Sequence, residues 1–308
     1  MVVVSAVEVE NGAVSPPTQS PPSPVAHVSD TALWVAVHRA RESKRKDALF
    51  HDPYAERLAG ERGLQIVGQL ERGAGSAWSI ITRTAVLDEL IMAAIRDGAD
   101  TVLNLAAGLD TRPYRLALPS GLRWIEVDFP EMIAYKESKL TDARPRCALE
   151  RAALDLRDRA ARQRLFTRVN ADSRQVLIVT EGLLIYLRPE EVAALAADLR
   201  SMPNFRRWIA DVLTPELLEW LLKSHFRTFA TGDVQMHFGA PGGAAYFERL
   251  GWRAHTVRRM TEESRRLKRQ MPRAWLFRLM SGLAPRSFRE RYGKFESYLL
   301  VLEPSDAQ

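Results

Sequence analysis

The segment Thr101-Val102-Leu103-Asn104-Leu105-Ala106-Ala107-Gly108-Leu109-Asp110-Thr111-Arg112-Pro113 runs from an apolar strand pattern into three small residues and then a helix start. Small residues at such a junction let the backbone approach a ligand at the carboxyl end of a sheet, and Gly108 is the position least able to accept a side chain. Twenty residues further on, Asp128 ends the next strand pattern. A carboxylate there accepts hydrogen bonds from both hydroxyls of a ribose. Together the two features point to a nucleoside-type ligand.

Charge narrows the ligand class. A dinucleotide rests its pyrophosphate on a helix N-terminus behind a G-x-G-x-x-G turn. Here the string Ala106-Ala107-Gly108-Leu109-Asp110-Thr111 has one glycine of the three and an acid where the phosphate would sit. Like charges about 4 Å apart at an effective dielectric near 20 repel by about 4 kcal/mol, which disfavours NAD. S-adenosylmethionine carries a sulfonium cation and no phosphate, so Asp110 is harmless or helpful to it. Asp110 also reads as a plain N-cap, with Pro113 in the first helical turn. A third acid, Glu181, closes the apolar run Val176–Thr180 and is placed to face an ammonium or sulfonium. Asp155, with the Leu156 backbone beside it, follows the third strand pattern and can meet an adenine amino group. Arg83 offers a bidentate partner for a carboxylate. Candidates at the acceptor are Tyr186, just after the fourth strand, and the histidines His225 and His237, each able to serve as a general base.

The elements that carry these residues follow from periodicity. Helical patterns start near Asp30, an N-cap candidate, with Leu33, Trp34 and Val37, continue past His51-Asp52-Pro53-Tyr54 through Leu58, and resume from Trp78 to Arg96. From residue 101 the period changes. Strand patterns at Thr101–Leu105, Arg123–Asp128, Leu149–Leu154, Val176–Thr180, Arg207–Leu213, Trp252–Arg258 and Ser297–Leu302 alternate with helical ones such as Pro189–Arg200 and Pro215–Phe226. The expected fold is α/β, a seven-stranded, mainly parallel sheet flanked by helices. Residues 1–29, rich in proline and serine, read as a flexible leader. Residues 30–98 read as a helical lid, and 99–308 as the ligand-binding core with an Arg-rich helical insertion near 259–296.

Composition removes several classes. The 308 residues are 46% hydrophobic and 27% charged, as in ordinary globular chains. No apolar run approaches the length of about 18 residues that a membrane helix needs, so no membrane partner is expected. The single cysteine, Cys147, supplies neither a disulfide nor a Cys-based metal site, and no metal is expected; a reducing cytoplasm suits this usage. A net charge of +6 is too small to assign a partner. The arginines between Arg253 and Arg278 read as a solvated face, with Trp275 and Phe277 keeping a nucleic-acid surface open as an alternative.

Five motifs, in order, resemble the leucine carboxyl methyltransferase family, a class I S-adenosylmethionine-dependent group that includes bacterial O-methyltransferases of polyketide biosynthesis. They are His51-Asp52-Pro53-Tyr54, Thr82-Arg83-Thr84, Asn104 to Arg112, Glu126-Val127-Asp128-Phe129-Pro130 and Thr180 to Leu187. The resemblance runs from about Thr31 to Leu213. It implies a Rossmann-like class I methyltransferase fold with S-adenosylmethionine as cofactor. Arg83 would bind its carboxylate, shared by Arg41 or Lys44. Ala106 and Gly108 would line the cofactor loop, Asp128 would hold the ribose, Asp155 and Leu156 would meet the adenine, and Glu181 would face the methionine moiety. Ala106 stands where the family has the first glycine of Gly-Ala-Gly. The implied activity is methyl transfer to a carboxylate or hydroxyl of a small molecule of polyketide type. The alternatives are carboxyl methylation of a protein C-terminus or, in a different class, a nucleic-acid-binding module with a degenerate cofactor fold.

Overall fold

In the computed structural model, which describes residues 28–70, 77–223, 235–271 and 295–305, the strand patterns assemble into one seven-stranded sheet. The strands are β1 (Thr101–Leu105), β2 (Arg123–Asp128), β3 (Ala148–Ala153), β4 (Val176–Thr180), β5 (Phe205–Leu213), β6 (Trp252–Arg259) and β7 (Ser297–Pro304). The helices are α1 (Val28–Ser43), α2 (Ala55–Leu70), α3 (Ala77–Arg96), α4 (Arg112–Arg115), α5 (Pro130–Lys139), α6 (Arg159–Ala171), α7 (Pro189–Arg200), α8 (Pro215–Lys223), α9 (Ala244–Glu248) and α10 (Met260–Arg266). Spatial order is β3-β2-β1-β4-β5-β7-β6, with β1 to β5 in parallel ladders and β7 antiparallel to both its neighbours. From β1 the chain winds outward through β2 to β3 and then returns to place β4 on the other side of β1. That reversal opens a crevice at the carboxyl ends of β1 and β4, where ligands of open α/β sheets bind.

Strand alternation assigns the two faces. Leu103, Leu105, Ile125, Val127, Ile178, Trp208 and Ala210 point to the side covered by α6, α7 and α9. Val102, Trp124, Leu177, Val179 and Ile209 point to the side covered by α3 and α10. The central parallel strands β1 and β4 are buried on both faces, which is why Val176–Val179 reads as an unbroken apolar run. Two of the buried indole N–H groups are paired within the layer: Trp208 donates to Thr180 Oγ1 at 2.9 Å and Trp252 to the Ala196 carbonyl at 3.1 Å.

Strands β3, β6 and β7 differ from the sequence pattern by one or two residues at one or both ends, and two further boundaries, at α1 and β5, also move. Helix α1 begins at Val28, so Asp30 lies inside its first turn, where its carboxylate pairs with Arg62 of α2 at 3.2 Å. Strand β5 begins at Phe205, two residues before the expected start. A register shift between Val176 and Leu177 bulges the ladder there, so Arg206 and Arg207 break the alternation while the pairing continues. The leader up to residue 27, His225, and residues 272–294 of the Arg-rich stretch, with Trp275 and Phe277, lie outside the described residues. Among the described residues no helix is long and apolar enough to cross a membrane.

Helix α1 packs on α2, and Ala36, Val37, Leu58 and Ala59 share one apolar cluster with Leu109, Tyr114 and Met132 of the core. Polar ties fix this docking. Arg39 of α1 donates to the Leu109 carbonyl at 2.5 Å and pairs with Asp52 at 3.4 Å, while Asp52 accepts from Thr111 Oγ1 at 2.6 Å and from the Tyr54 backbone at 3.1 Å. The Asp52 of the His-Asp-Pro-Tyr turn is thus a clamp between α1 and the loop after β1. At the other end of α1, buried Glu42 receives Arg269, just past α10, with a shortest contact of 2.8 Å. Removing one partner of a buried ion pair leaves the other charge uncompensated, so Asp52→Ala is expected to cost about 3–5 kcal/mol in urea unfolding. The double variant Asp52→Leu with Arg39→Met is expected to recover most of that loss.

Candidate cofactor site at the carboxyl edge of the sheet

The loop leaving β1 turns on two left-handed residues, Ala106 (φ 55°) and Gly108 (φ 48°). This conformation suits glycine at 108 and strains the alanine at 106. The backbone N–H of Gly108 donates to Asp128 Oδ2 at 2.6 Å, and that of Phe129 donates to Oδ1 at 2.8 Å. Both carboxylate oxygens at the end of β2 are therefore oriented, while half of their acceptor capacity remains. Burial pushes the Asp128 carboxyl above the ordinary range, and the two backbone N–H groups oppose that shift. Helix α1 closes over the loop: a side-chain carbon at Gly108 would stand 3.4 Å from Ala32.

The neighbouring edge holds a chain of charges. Glu181 and Asp211 lie on the side of the sheet that α3 covers, so Arg83 of α3 reaches both, with Nε 3.0 Å from Glu181 Oε1 and Nη1 2.9 Å from Asp211 Oδ2. Asp211 also accepts from the Gly182 N–H at 2.7 Å. Gly182 is left-handed (φ 65°) and lies close under Arg83, whose Nη1 would be 3.7 Å from a side-chain carbon there. Arg112 donates to Glu181 Oε2 at 2.8 Å, Asp110 Oδ2 at 3.0 Å and Asp88 Oδ1 at 2.6 Å, and Arg115 grips Asp88 at 2.6 and 2.8 Å. Within this chain four carboxylates meet three guanidiniums. Asp128 alongside adds to the negative excess, which favours a cation.

Burial pushes the Asp110 carboxyl up, but Arg112, Lys136 and Arg115 outweigh it and hold the group at about 2. Burial likewise raises Glu181, and Arg112 and Arg83 bring it below its ordinary value. Asp211 is raised by burial despite Arg83. Burial also raises the Tyr186 phenol, whose hydroxyl meets the Thr31 side chain near Arg83 and Asp211. Tyr186 is therefore a neutral hydroxyl near neutral pH rather than a ready base.

The structure brings Arg83, Glu181 and Tyr186 together beside the loop of Ala106, Gly108 and Asp128. Asp155 lies at the rim, its carboxylate engaged by Arg157 at 2.9 Å, and the Leu156 carbonyl accepts from Arg162 at 2.6 Å. The His237 backbone N–H donates to the Ile185 carbonyl at 2.7 Å, which sets that residue beside the turn of Tyr186. Two expectations are corrected. Asp110 does not oppose a ligand phosphate: it is buried against Arg112 and Asn104 and accepts from the Arg112 backbone. What disfavours a pyrophosphate is instead α4, only four residues long and too short to present a helix dipole. Of the α1 cations, Arg39 rather than Arg41 or Lys44 turns inward; Lys44 pairs with Glu56 at the surface. Sequence reasoning missed Asp211 and Arg112, although an aspartate inside the apolar run of β5 was a visible signal.

The residues present fit a cationic nucleoside: an oriented carboxylate with acceptor capacity for a diol, a left-handed cradle without side chain at Gly108, and an excess of carboxylate. The sheet order with its single antiparallel strand defines a class I methyltransferase fold. Solved structures share it: a DUF574 family protein from Streptomyces avermitilis has a TM-score of 0.56 at 15% identity, with 92% of this chain and 98% of that chain covered. A structure from Thermobifida fusca, titled as that of a methyltransferase, has a TM-score of 0.56 at 15% identity, covering 92% of this chain and 96% of its own. The family description "Leucine carboxyl methyltransferase" matches residues 32–200, more than half the chain, and the protein belongs to that family. It is 37% identical over 187 residues to a Saccharopolyspora erythraea protein assigned by name as an S-adenosyl-L-methionine-dependent methyltransferase, with 58% of this chain and 64% of that one covered. It is 34% identical over 217 residues to a protein of the same assigned name from Frankia alni, covering 63% and 76%. The chain spans a little under two thirds of the first of these relatives.

Ala106→Gly is expected to relieve backbone strain of about 1–2 kcal/mol, partly offset by the greater freedom of unfolded glycine, about 0.5–1 kcal/mol. Differential scanning calorimetry should show a rise in Tm of about 1–2 °C. The depressed Asp110 group contributes stability that is complete above its unfolded value, near 4, and is lost as pH falls toward 2. Asp110→Asn is expected to be less stable than the parent by about 2 kcal/mol at neutral pH, with the gap closing between about pH 5 and pH 2.

Proposed function

We propose that the protein is an S-adenosylmethionine-dependent O-methyltransferase acting on a carboxylate or hydroxyl of a small apolar molecule of polyketide type. The observation that carries the cofactor is the Asp128 carboxylate, oriented by Gly108 and Phe129 at the end of β2 beside a crevice with a net excess of acid. When bound, the cofactor supplies an electrophilic methyl group on a sulfonium. Asp128 holds the ribose hydroxyls with its remaining acceptor capacity. Arg83 takes the methionine carboxylate with guanidinium N–H groups beyond the two that Glu181 and Asp211 accept, and Glu181 faces the positively charged end. Asp155 and the Leu156 backbone border the adenine.

The acceptor class is supported by the apolar side chains packed beside Tyr186. Leu33 and Trp34 of α1, Ile66 of α2, Ile185, Leu213, Leu218 and Met236 form one apolar cluster around it. An apolar wall of this kind suits a small hydrophobic acceptor, whereas a protein C-terminus would call for a polar groove with cations for its carboxylate. Alignment of the reacting atoms and exclusion of water then supply most of the rate, of which orientation can contribute about 7–11 kcal/mol. A carboxylate acceptor, with an ordinary value near 4, is already ionised and needs no base; a phenol or alcohol would draw on His237 at the edge of the cluster or on His225.

Titration calorimetry with S-adenosylmethionine is expected to show saturable binding, weakened about ten- to a hundredfold by Asp128→Asn through loss of charge-assisted hydrogen bonds. Absence of cofactor binding, combined with salt-sensitive binding of an oligonucleotide, would overturn the enzyme reading in favour of the nucleic-acid one. With labelled methyl donor and an apolar polyketide acid or phenol, release of label by mild base marks an ester and retention marks an ether.

A further inference from the structure

Arg112 is shut away behind the crevice, with a side chain 2% exposed, whereas Glu181 and Arg83 in front of it are 17% and 22% exposed. Its guanidinium bears on carboxylates from three segments: Asp88 of α3, Asp110 of the loop after β1, and Glu181 after β4. Attaching α4 to α3 does not require all of this, because Arg115 already grips Asp88 through two bonds. What Arg112 adds is the reach to Glu181 Oε2, while Arg83 holds Oε1. With a guanidinium on each oxygen, the plane of the Glu181 carboxylate is set from both sides. A guanidinium fork makes such a fixed, planar contact and an ammonium does not.

We propose that Arg112 is a positioning residue that acts through Glu181, keeping that carboxylate ionised and aimed at the methionine end of the cofactor, and so sets the preference of the site for a sulfonium over the neutral thioether product. The inference rests on the cofactor reading above. The charged groups that face Glu181 are Arg83 from α3, Arg112 from α4 and Asp110 from the loop after β1, with Asp211 of β5 beyond Arg83. Two cations against one nearby acid favour the ionised carboxylate, and removing Arg112 leaves Arg83 alone to oppose burial and Asp110. Glu181 then binds a proton more readily and is free to turn toward Arg83. S-adenosylmethionine and S-adenosylhomocysteine share the ribose, adenine, ammonium and carboxylate and differ at sulfur in the methyl group and its charge. A change in the charge of Glu181 therefore weakens the first more than the second.

The test is calorimetry of both ligands on the full chain and on Arg112→Gln, repeated from pH 8 down to about pH 5, with circular dichroism and Tm recorded for each protein. The expected result is that S-adenosylmethionine affinity falls about tenfold or more, that S-adenosylhomocysteine affinity falls by a smaller factor, and that the loss grows as pH drops while the parent stays flat. If the folded variant weakens both ligands by the same factor with a pH profile parallel to the parent, Arg112 is structural and the inference is overturned. If the parent binds neither ligand, it is the cofactor reading that fails. Should Arg112→Gln not fold, Arg112→Lys decides. It retains a buried cation but cannot bridge the carboxylates as a fork, and an unchanged ratio of the two affinities in that variant overturns the proposal.

Discussion

Carboxylates from three separate segments converge on one buried guanidinium, and most of the geometry at the edge of the sheet follows from that convergence. Asp88, Asp110 and Glu181 could not be buried near one another unless a cation lay among them, because an unpaired charge away from water is costly. Arg112 satisfies all three, and in doing so fixes α3, the loop after β1 and the end of β4 relative to one another. Arg83 extends the same logic to Asp211 on β5. The negative excess left over lies at the crevice edge, so the array that holds the edge together also sets its charge.

A second, smaller junction holds the other side of the loop after β1. Arg39, Asp52 and Thr111 tie α1 and the turn before α2 to the residues that follow Leu109. The loop is thus gripped from the sheet side by Asp128 and Arg112 and from the helix side by Arg39 and Asp52. Such over-determination is what allows Ala106 to remain left-handed despite the cost to a residue with a side chain. The aspartate of the His-Asp-Pro-Tyr turn thus positions the loop that follows β1.

The helices that precede the sheet serve two purposes at once. Through Ala32 and Arg39, α1 covers the loop after β1, and through Leu33 and Trp34 it contributes to the apolar cluster beside Tyr186. At its far end Glu42 is held by Arg269, so the segment after β6 is anchored to the same helix. The loop after β1, the apolar cluster beside Tyr186 and the segment beyond the sixth strand therefore share one helix as a common support.

The sequence alone was enough for the α/β class, the strands that line the crevice, and the placement of Gly108, Asp128 and Glu181 at strand ends. Those features depend on local rules: apolar runs buried on both faces, small residues at a strand-to-helix turn, and acids at the end of a run. Charge partnership was not legible, because it depends on which segments meet. From its position in the sequence Asp110 reads as an acid at a phosphate site or as an N-cap, yet it lies buried against Arg112 and Asn104. Asp211 sits 128 positions from Arg83 and bonds to it, a contact produced only when α3 packs on the face of the sheet to which Asp211 points. The inward cation of α1 is Arg39 because that face of the helix meets the loop after β1, a choice that helical spacing leaves open. Local pattern fixes where a side chain can stand along the chain; which opposite charge stands beside it is decided by the fold that brings distant segments together.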